Sequence, residues 1–208
     1  MTSRRRLLAG AAALVLVRNA LAQGRIEKGV YRANGDVRVN GQPARVGATV
    51  PFGALVETGA DGDLVFVSGR DAMLVRRNSG LTLLKDGLRV ATGAVLSVFA
   101  TGRKRTVETS TAVIGIRGTG LYVEVEPTRT YACTCYGETV LEARGDPSAR
   151  ETVRTRHHEQ PRYIMASGAP QMLMAAPVQN HSDDELIMLE ALVGRRPPFV
   201  GQGYTPYK

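Results

Sequence analysis

Seven turn-forming dipeptides punctuate residues 34–93: Asn34-Gly35, Asn40-Gly41, Asp61-Gly62, Ser68-Gly69, Ser79-Gly80, Asp86-Gly87 and Thr92-Gly93. Most follow the previous one within about a dozen residues, a spacing that suits an all-β sandwich, roll or barrel. Glycine supplies the positive φ of a tight hairpin turn, and Asn or Asp before it tolerates the same region. Three stretches, 37–50, 64–74 and 81–96, are loosely similar strand–turn–strand units, too divergent to count as a sequence repeat. About 120 residues of such chain can bury one core. The expected fold is all-β: a single β-roll or solenoid-like domain, or a two-sheet sandwich, with the solenoid-like roll preferred.

The alternation extends beyond these turns. Leu121, Val123 and Val125 face one way and Tyr122, Glu124 and Glu126 the other, the period of a strand with one side buried and one solvated. Glycines 115, 118 and 120 just before it permit a sharp bend or a close approach of backbones. The ordered blocks 35–47, 53–67, 78–84, 93–96 and 106–125, the last containing Ile116, Arg117, Gly118 and Thr119, resemble the periplasmic domain of the FecR family over residues 24–143. That resemblance implies a non-enzymatic envelope module, a scaffold or sensor acting through contact with another envelope protein. It maps the family's arginine–glycine–threonine onto Arg117, Gly118 and Thr119, which are expected to shape the fold. The family's regulators also carry a cytoplasmic domain that holds a sigma factor and a long membrane span. Neither is expected here, so a transcriptional relay does not carry over.

The first 22 residues read as an export signal. Arg4, Arg5 and Arg6 form a charged start, residues 7–17 an apolar run, and Ala20-Leu21-Ala22 a small-x-small cleavage site before Gln23. Eleven helical residues are too short for a bilayer core about 30 Å thick. The paired arginines resemble a twin-arginine signal, with an ordinary Sec signal as the alternative. No Cys follows the cleavage site, so no lipid anchor is expected, and the mature chain is placed in the periplasm. Its charge is smaller than the full chain implies. Of 27 basic residues four leave with the signal, and the 23 that remain face 19 acids. Trp is absent and no basic stripe is interleaved with aromatics, which argues against nucleic acid as a partner. The run Arg103-Lys104-Arg105 reads as a solvated hairpin tip, with weak contact to anionic glycan or lipid head groups as an alternative use.

Residues 23–145 are assigned to the β domain and 146–208 to a C-terminal extension. Within the extension, Ser182-Asp183-Asp184-Glu185 is a capping box with acids in the first turn. It opens a helix over about 183–193 with an apolar stripe of Leu186, Leu189, Leu192 and Val193. Gly194 and then Pro197-Pro198 end it. The Gly-, Pro- and Tyr-rich last ten residues read as a loose tail.

The chemistry concentrates late. Both cysteines lie in Cys133-Thr134-Cys135, the three histidines are His157, His158 and His181, and the first 132 residues contain neither type. On a strand, positions i and i+2 share a face, so both sulfurs can serve one ion. Thiolate with imidazole suits copper(I) or zinc, and Cys₂His₂ is a common structural zinc set. Adjacent His157 and His158 point opposite ways on an extended chain, so only one can join, with His181 as the other. Three fates are open for the thiols: a strained Cys-x-Cys disulfide in an oxidising compartment, a metal site, or free or redox-active groups. The chain is not expected to be an enzyme. It lacks a nucleophile elbow, a Walker loop and a dinucleotide-binding turn, and Arg117-Gly118-Thr119-Gly120 leads into a strand rather than a helix. The one enzymatic alternative is a thiol oxidoreductase built on Cys133 and Cys135, which lacks the usual Cys-x-x-Cys.

Overall fold

The three longest strands set the architecture: β8 (Gly87–Val98), β10 (Ala112–Val125) and β11 (Arg129–Ala143). The structure, a computed structural model, describes residues 28–207; the export segment expected at 1–22 lies outside them. The shorter strands are β1 (Gly29–Asn34), β2 (Val37–Val39), β3 (Gln42–Pro43), β4 (Leu55–Thr58), β5 (Asp63–Ser68), β6 (Asp71–Val75) and β7 (Gly80–Leu84). They continue with β9 (Arg105–Glu108), β12 (Asp146–Thr155), β13 (Arg162–Met165) and β14 (Leu173–Ala175), followed by one helix, α1 (Asp183–Leu192). The fold is therefore all-β with a single C-terminal helix among the described residues. None of their helices is long and apolar enough to cross a membrane.

All fourteen strands belong to one hydrogen-bonded sheet, and each long strand changes partners midway. The start of β8 pairs β7 and β9, while its end pairs β6 and β10. The start of β10 pairs β9 and its end β8. In β11 the order reverses, with β13 on its first half and β12 on its second. The sheet thus has two halves joined by three continuous strands. Val56, Leu81 and Val90 from one half share a core with Phe66, Met73 and Val75 from the other, so the halves face each other. The molecule is a single open sheet of mostly antiparallel strands whose halves share one core.

Of the Arg117, Gly118, Thr119 segment, the last two build the bend in β10 and β11. The register skips between Arg117 and Gly120 as a bulge. Gly118 has φ +62° and, across the ladder, Gly137 has φ +92°. Thr119 replaces the lost ladder bonds with its side chain: Oγ1 donates to Glu138 O at 2.9 Å and accepts from Glu138 N at 3.2 Å. Arg117 points outward, 3.7 Å from Glu138.

The half containing β5 and β6 is buried on both faces. Leu64 and Phe66 enter the core between the halves, while Val65 and Val67 enter a second, outer cluster with Leu74, Leu96, Tyr122, Cys133 and Cys135. α1 covers that outer face with Leu186, Leu189 and Leu192. This corrects the expectation of a solvated side at Tyr122 and Glu124. Tyr122 is 1% exposed and donates to Glu124 at 2.6 Å, and Glu124 also accepts from Gln179 and Asn180 of the extension. The basic tip needs a similar correction: Arg105 is folded inward onto buried Asp71 at 2.8 Å. Pairing with the outward-facing apolar residues of β6 and β8 explains why a helix of only ten residues, marginal alone, is held.

A Cβ added at Gly137 would lie 2.6 Å from the carbonyl oxygen of Gly118, whereas one at Gly102, also at positive φ, meets nothing within 4 Å. Urea unfolding is expected to show a loss of about 1 kcal/mol for Gly102→Ala, the backbone cost alone, and roughly 3 kcal/mol or more for Gly137→Ala. Equal losses would remove the bulge from the account of the fold.

Candidate metal centre

β11 presents Cys133 and Cys135 on the same face, both fully buried and both free thiols with no bond between them. Two other elements bring histidines to that face. After β12 the chain turns through His158, whose φ is +58° and whose N–H donates to Cys135 O at 3.0 Å. That backbone bond sets the His158 ring beside the cysteines, with Nδ1 3.5 Å from Cys133 Sγ. His181 stands immediately before the N-cap Ser182 of α1, and its ring stacks on Tyr122 with centroids 4.5 Å apart. Cys133, Cys135, His158 and His181 are all buried, and their ligand atoms lie within 4.8 Å of one another. A tetrahedral zinc with bonds of about 2.0–2.3 Å would separate such atoms by roughly 3.3–3.8 Å.

His157 is placed elsewhere. Its Nε2 lies 2.8 Å from Asp183 Oδ2, on the same carboxylate that His158 reaches and with the two rings 4.8 Å apart, so the pair does not point opposite ways as an extended chain would require. Asp183 is the residue that sequence reasoning missed. As the first residue of a capped helix it reads as a partner of the helix dipole, and nothing local marks it otherwise. In the folded chain it is 5% exposed, receives the Tyr207 N–H at 2.9 Å and bonds His158 Nε2 at 3.0 Å. Tyr207, in the segment expected as a loose tail, also donates its hydroxyl to Val178 O at 2.6 Å.

The outer partners fix both tautomers. The Gln179 carbonyl, 2.6 Å from His181 Nδ1, can only accept, so that nitrogen carries the proton. The Asp183 carboxylate likewise accepts a hydrogen bond from His158 Nε2–H. The inner atoms, His181 Nε2 and His158 Nδ1, are then two lone pairs facing each other at 3.0 Å. Such a pair is repulsive unless a cation, a proton or a metal ion, lies between. Outer partners that orient ligating imidazoles in this way are the usual second layer of a metal site.

The titration tendencies have the same origin. Burial opposes the Cys133 thiolate, but hydrogen bonds from Cys135, His158 and His181 outweigh it and hold the thiol well below its ordinary value. Burial and the neighbouring Cys133 push Cys135 far up. Burial also opposes charge on His158, yet Cys133 and Asp183 prevail and raise it. For Asp183, burial is outweighed by the Tyr207 N–H and the two imidazoles, which hold the carboxyl below its usual range. Both tendencies run the same way: without a metal they favour a Cys133 thiolate beside a protonated His158.

No protein-family model matches the sequence, and no curated protein matches it. Two crystal structures of a candidate anti-sigma factor from Parabacteroides distasonis, at 2.50 and 1.65 Å, are similar at 9% identity with a TM-score of 0.47. The match covers 59% of this chain and 58% of theirs, so the chain spans less than two thirds of their length.

In the metal-free protein the Cys133–His158 pair is expected to stabilise folding within a window. The His158 share, from a raised value, is full below its unfolded value near 6.5 and lost as pH rises through the folded one. The Cys133 share, from a lowered value, is lost as pH falls through its folded one. A double-mutant cycle of Cys133→Ser and His158→Gln, followed by urea unfolding across pH, should give a coupling that fades on both sides. A coupling flat in pH would show that the pair is not ionised.

Proposed function

We propose that this chain is an exported, FecR-like β module of the cell envelope that binds a transition metal, zinc or copper(I), through Cys133, Cys135, His158 and His181. The observation that carries this reading is the convergence of two buried thiols and two buried imidazole nitrogens, the nitrogens 3.0 Å apart, a donor set that a tetrahedral cation would satisfy. Two thiolates and two imidazoles are the soft, mixed donors that zinc and copper accept. In the oxidising periplasm a bound metal also protects neighbouring thiols from oxidation. The role is binding rather than catalysis, because four protein ligands complete a tetrahedron and leave no position for a substrate. The FecR resemblance adds a partner protein in the envelope. Contact through the sheet is supported by β3 and β14, each with one strand partner among the described residues, where strand addition can occur.

The test is metal analysis with native mass spectrometry of the mature chain purified without chelator. One zinc or copper per chain is expected, lost in Cys133→Ser and in Cys135→Ser. Asp183→Asn, which keeps the shape but not the charge that orients His158, should weaken metal affinity ten- to a hundred-fold. A wild-type chain that takes up neither zinc nor copper(I) when each is offered in excess would refute the reading.

A further inference from the structure

The four donors do not come from one body. Cys133 and Cys135 belong to the sheet, His158 to the turn after β12, and His181 to the residue before α1 caps. An ion held by all four closes about fifty residues of chain between strand and helix, a cross-link at the point where the extension lands on the sheet. Asp183, the first residue of α1, braces the same site through His158. The site and the docking of the helix are therefore one structural feature.

Charge selects the ion. With zinc(II), two thiolates and two neutral imidazoles sum to zero in a space where all four ligands are buried. Copper(I) in the same place leaves one net negative charge beside the Asp183 carboxylate, and an unbalanced charge inside a protein is costly. Closed, four-ligand N₂S₂ coordination is also the structural habit of zinc.

Resting on the metal reading above, we infer that the site takes zinc(II) and that this ion locks the helix-bearing segment 181–193 onto the outer face of the sheet. Other contacts hold the extension as well. Arg76 grips Glu185 through two bonds of 2.7 Å, and Tyr136 and Arg195 meet the buried Glu190 carboxylate. These fix the first turn and the end of α1. His181, just ahead of the N-cap, meets the sheet at the donor cluster, where unloaded ligands leave two imidazole nitrogens 3.0 Å apart in place of metal bonds. Removing zinc should thus loosen the helix from its N-terminal end while the core between the half-sheets stays intact.

Hydrogen exchange read by mass spectrometry on the mature wild-type chain, chelator-stripped and then loaded with one equivalent of zinc(II), tests this directly. Zinc is expected to slow exchange over residues 181–193 at least tenfold and to leave β4, β5 and β7 unchanged, with circular dichroism confirming that the stripped sheet is folded. Cys133→Ser should show the stripped pattern with or without zinc. Zinc bound at one equivalent with no change over 181–193 would overturn the lock and leave the metal reading standing. Copper in place of zinc in the protein as purified would overturn the choice of ion. Failure to bind any metal would remove the metal reading itself, and the lock with it.

Discussion

The molecule depends on a half-sheet that is apolar on both faces. β5 and β6 alternate between two cores, so whatever forms the inner layer leaves Val65, Val67, Ala72 and Leu74 to be covered from outside. An antiparallel sheet normally leaves one side to water. Here the chain must supply a second cover, and the C-terminal extension is that cover. Each buried leucine of α1 contributes on the order of 1.5–3 kcal/mol from removal of apolar surface, an upper range because the unfolded chain already hides some of it. That gain offsets the cost of ordering a ten-residue helix that would not persist alone.

Covering this face carries polar groups inward, and the structure deals with each in turn. Glu190 is 4% exposed and receives both the Tyr136 hydroxyl and the Arg195 guanidinium. Asp183 is satisfied by Tyr207 and two histidines. Buried charges need such partners, and removing one partner leaves the other uncompensated. The cysteine–histidine cluster stands apart because its donors point at each other instead of at complementary groups. Internal pairing can only resolve it by moving a proton and creating a thiolate beside an imidazolium. A dication resolves it without leaving net charge.

The bulge and the site are linked by one residue of register. The β10–β11 register shifts twice here, between Arg117 and Gly120 and again between Gly120 and Leu121, so Gly137 and Cys135 both fall at irregular steps beside Tyr136. Because side chains alternate, a slip at the bend would turn both sulfurs into the core between the halves. Gly118, Thr119 and Gly137 fix that register, with the Thr119 hydroxyl bonding both backbone groups of Glu138. Arg117, 68% exposed at its side chain, takes no part in the bend and is free of the core.

Periodicity and turn chemistry determined the strands and the capped helix from sequence alone. Both are local: a strand needs alternation over four to eight residues, and a helix start needs Ser182 and Glu185 three apart. The shared face of Cys133 and Cys135 follows from the same local rule. Two further matters were open to no local rule. The side of the strand bearing Tyr122 and Glu124 reads as solvated until a segment some fifty residues later is seen to cover it. The choice of His158 over His157, the arrival of His181 and the bracing by Asp183 all depend on where that segment lands. The sequence determined which donors were available and which way two of them faced. Only the tertiary structure decided that four of them meet, because burial of a distant apolar face, not any property of the donors, brings the helix to the strand.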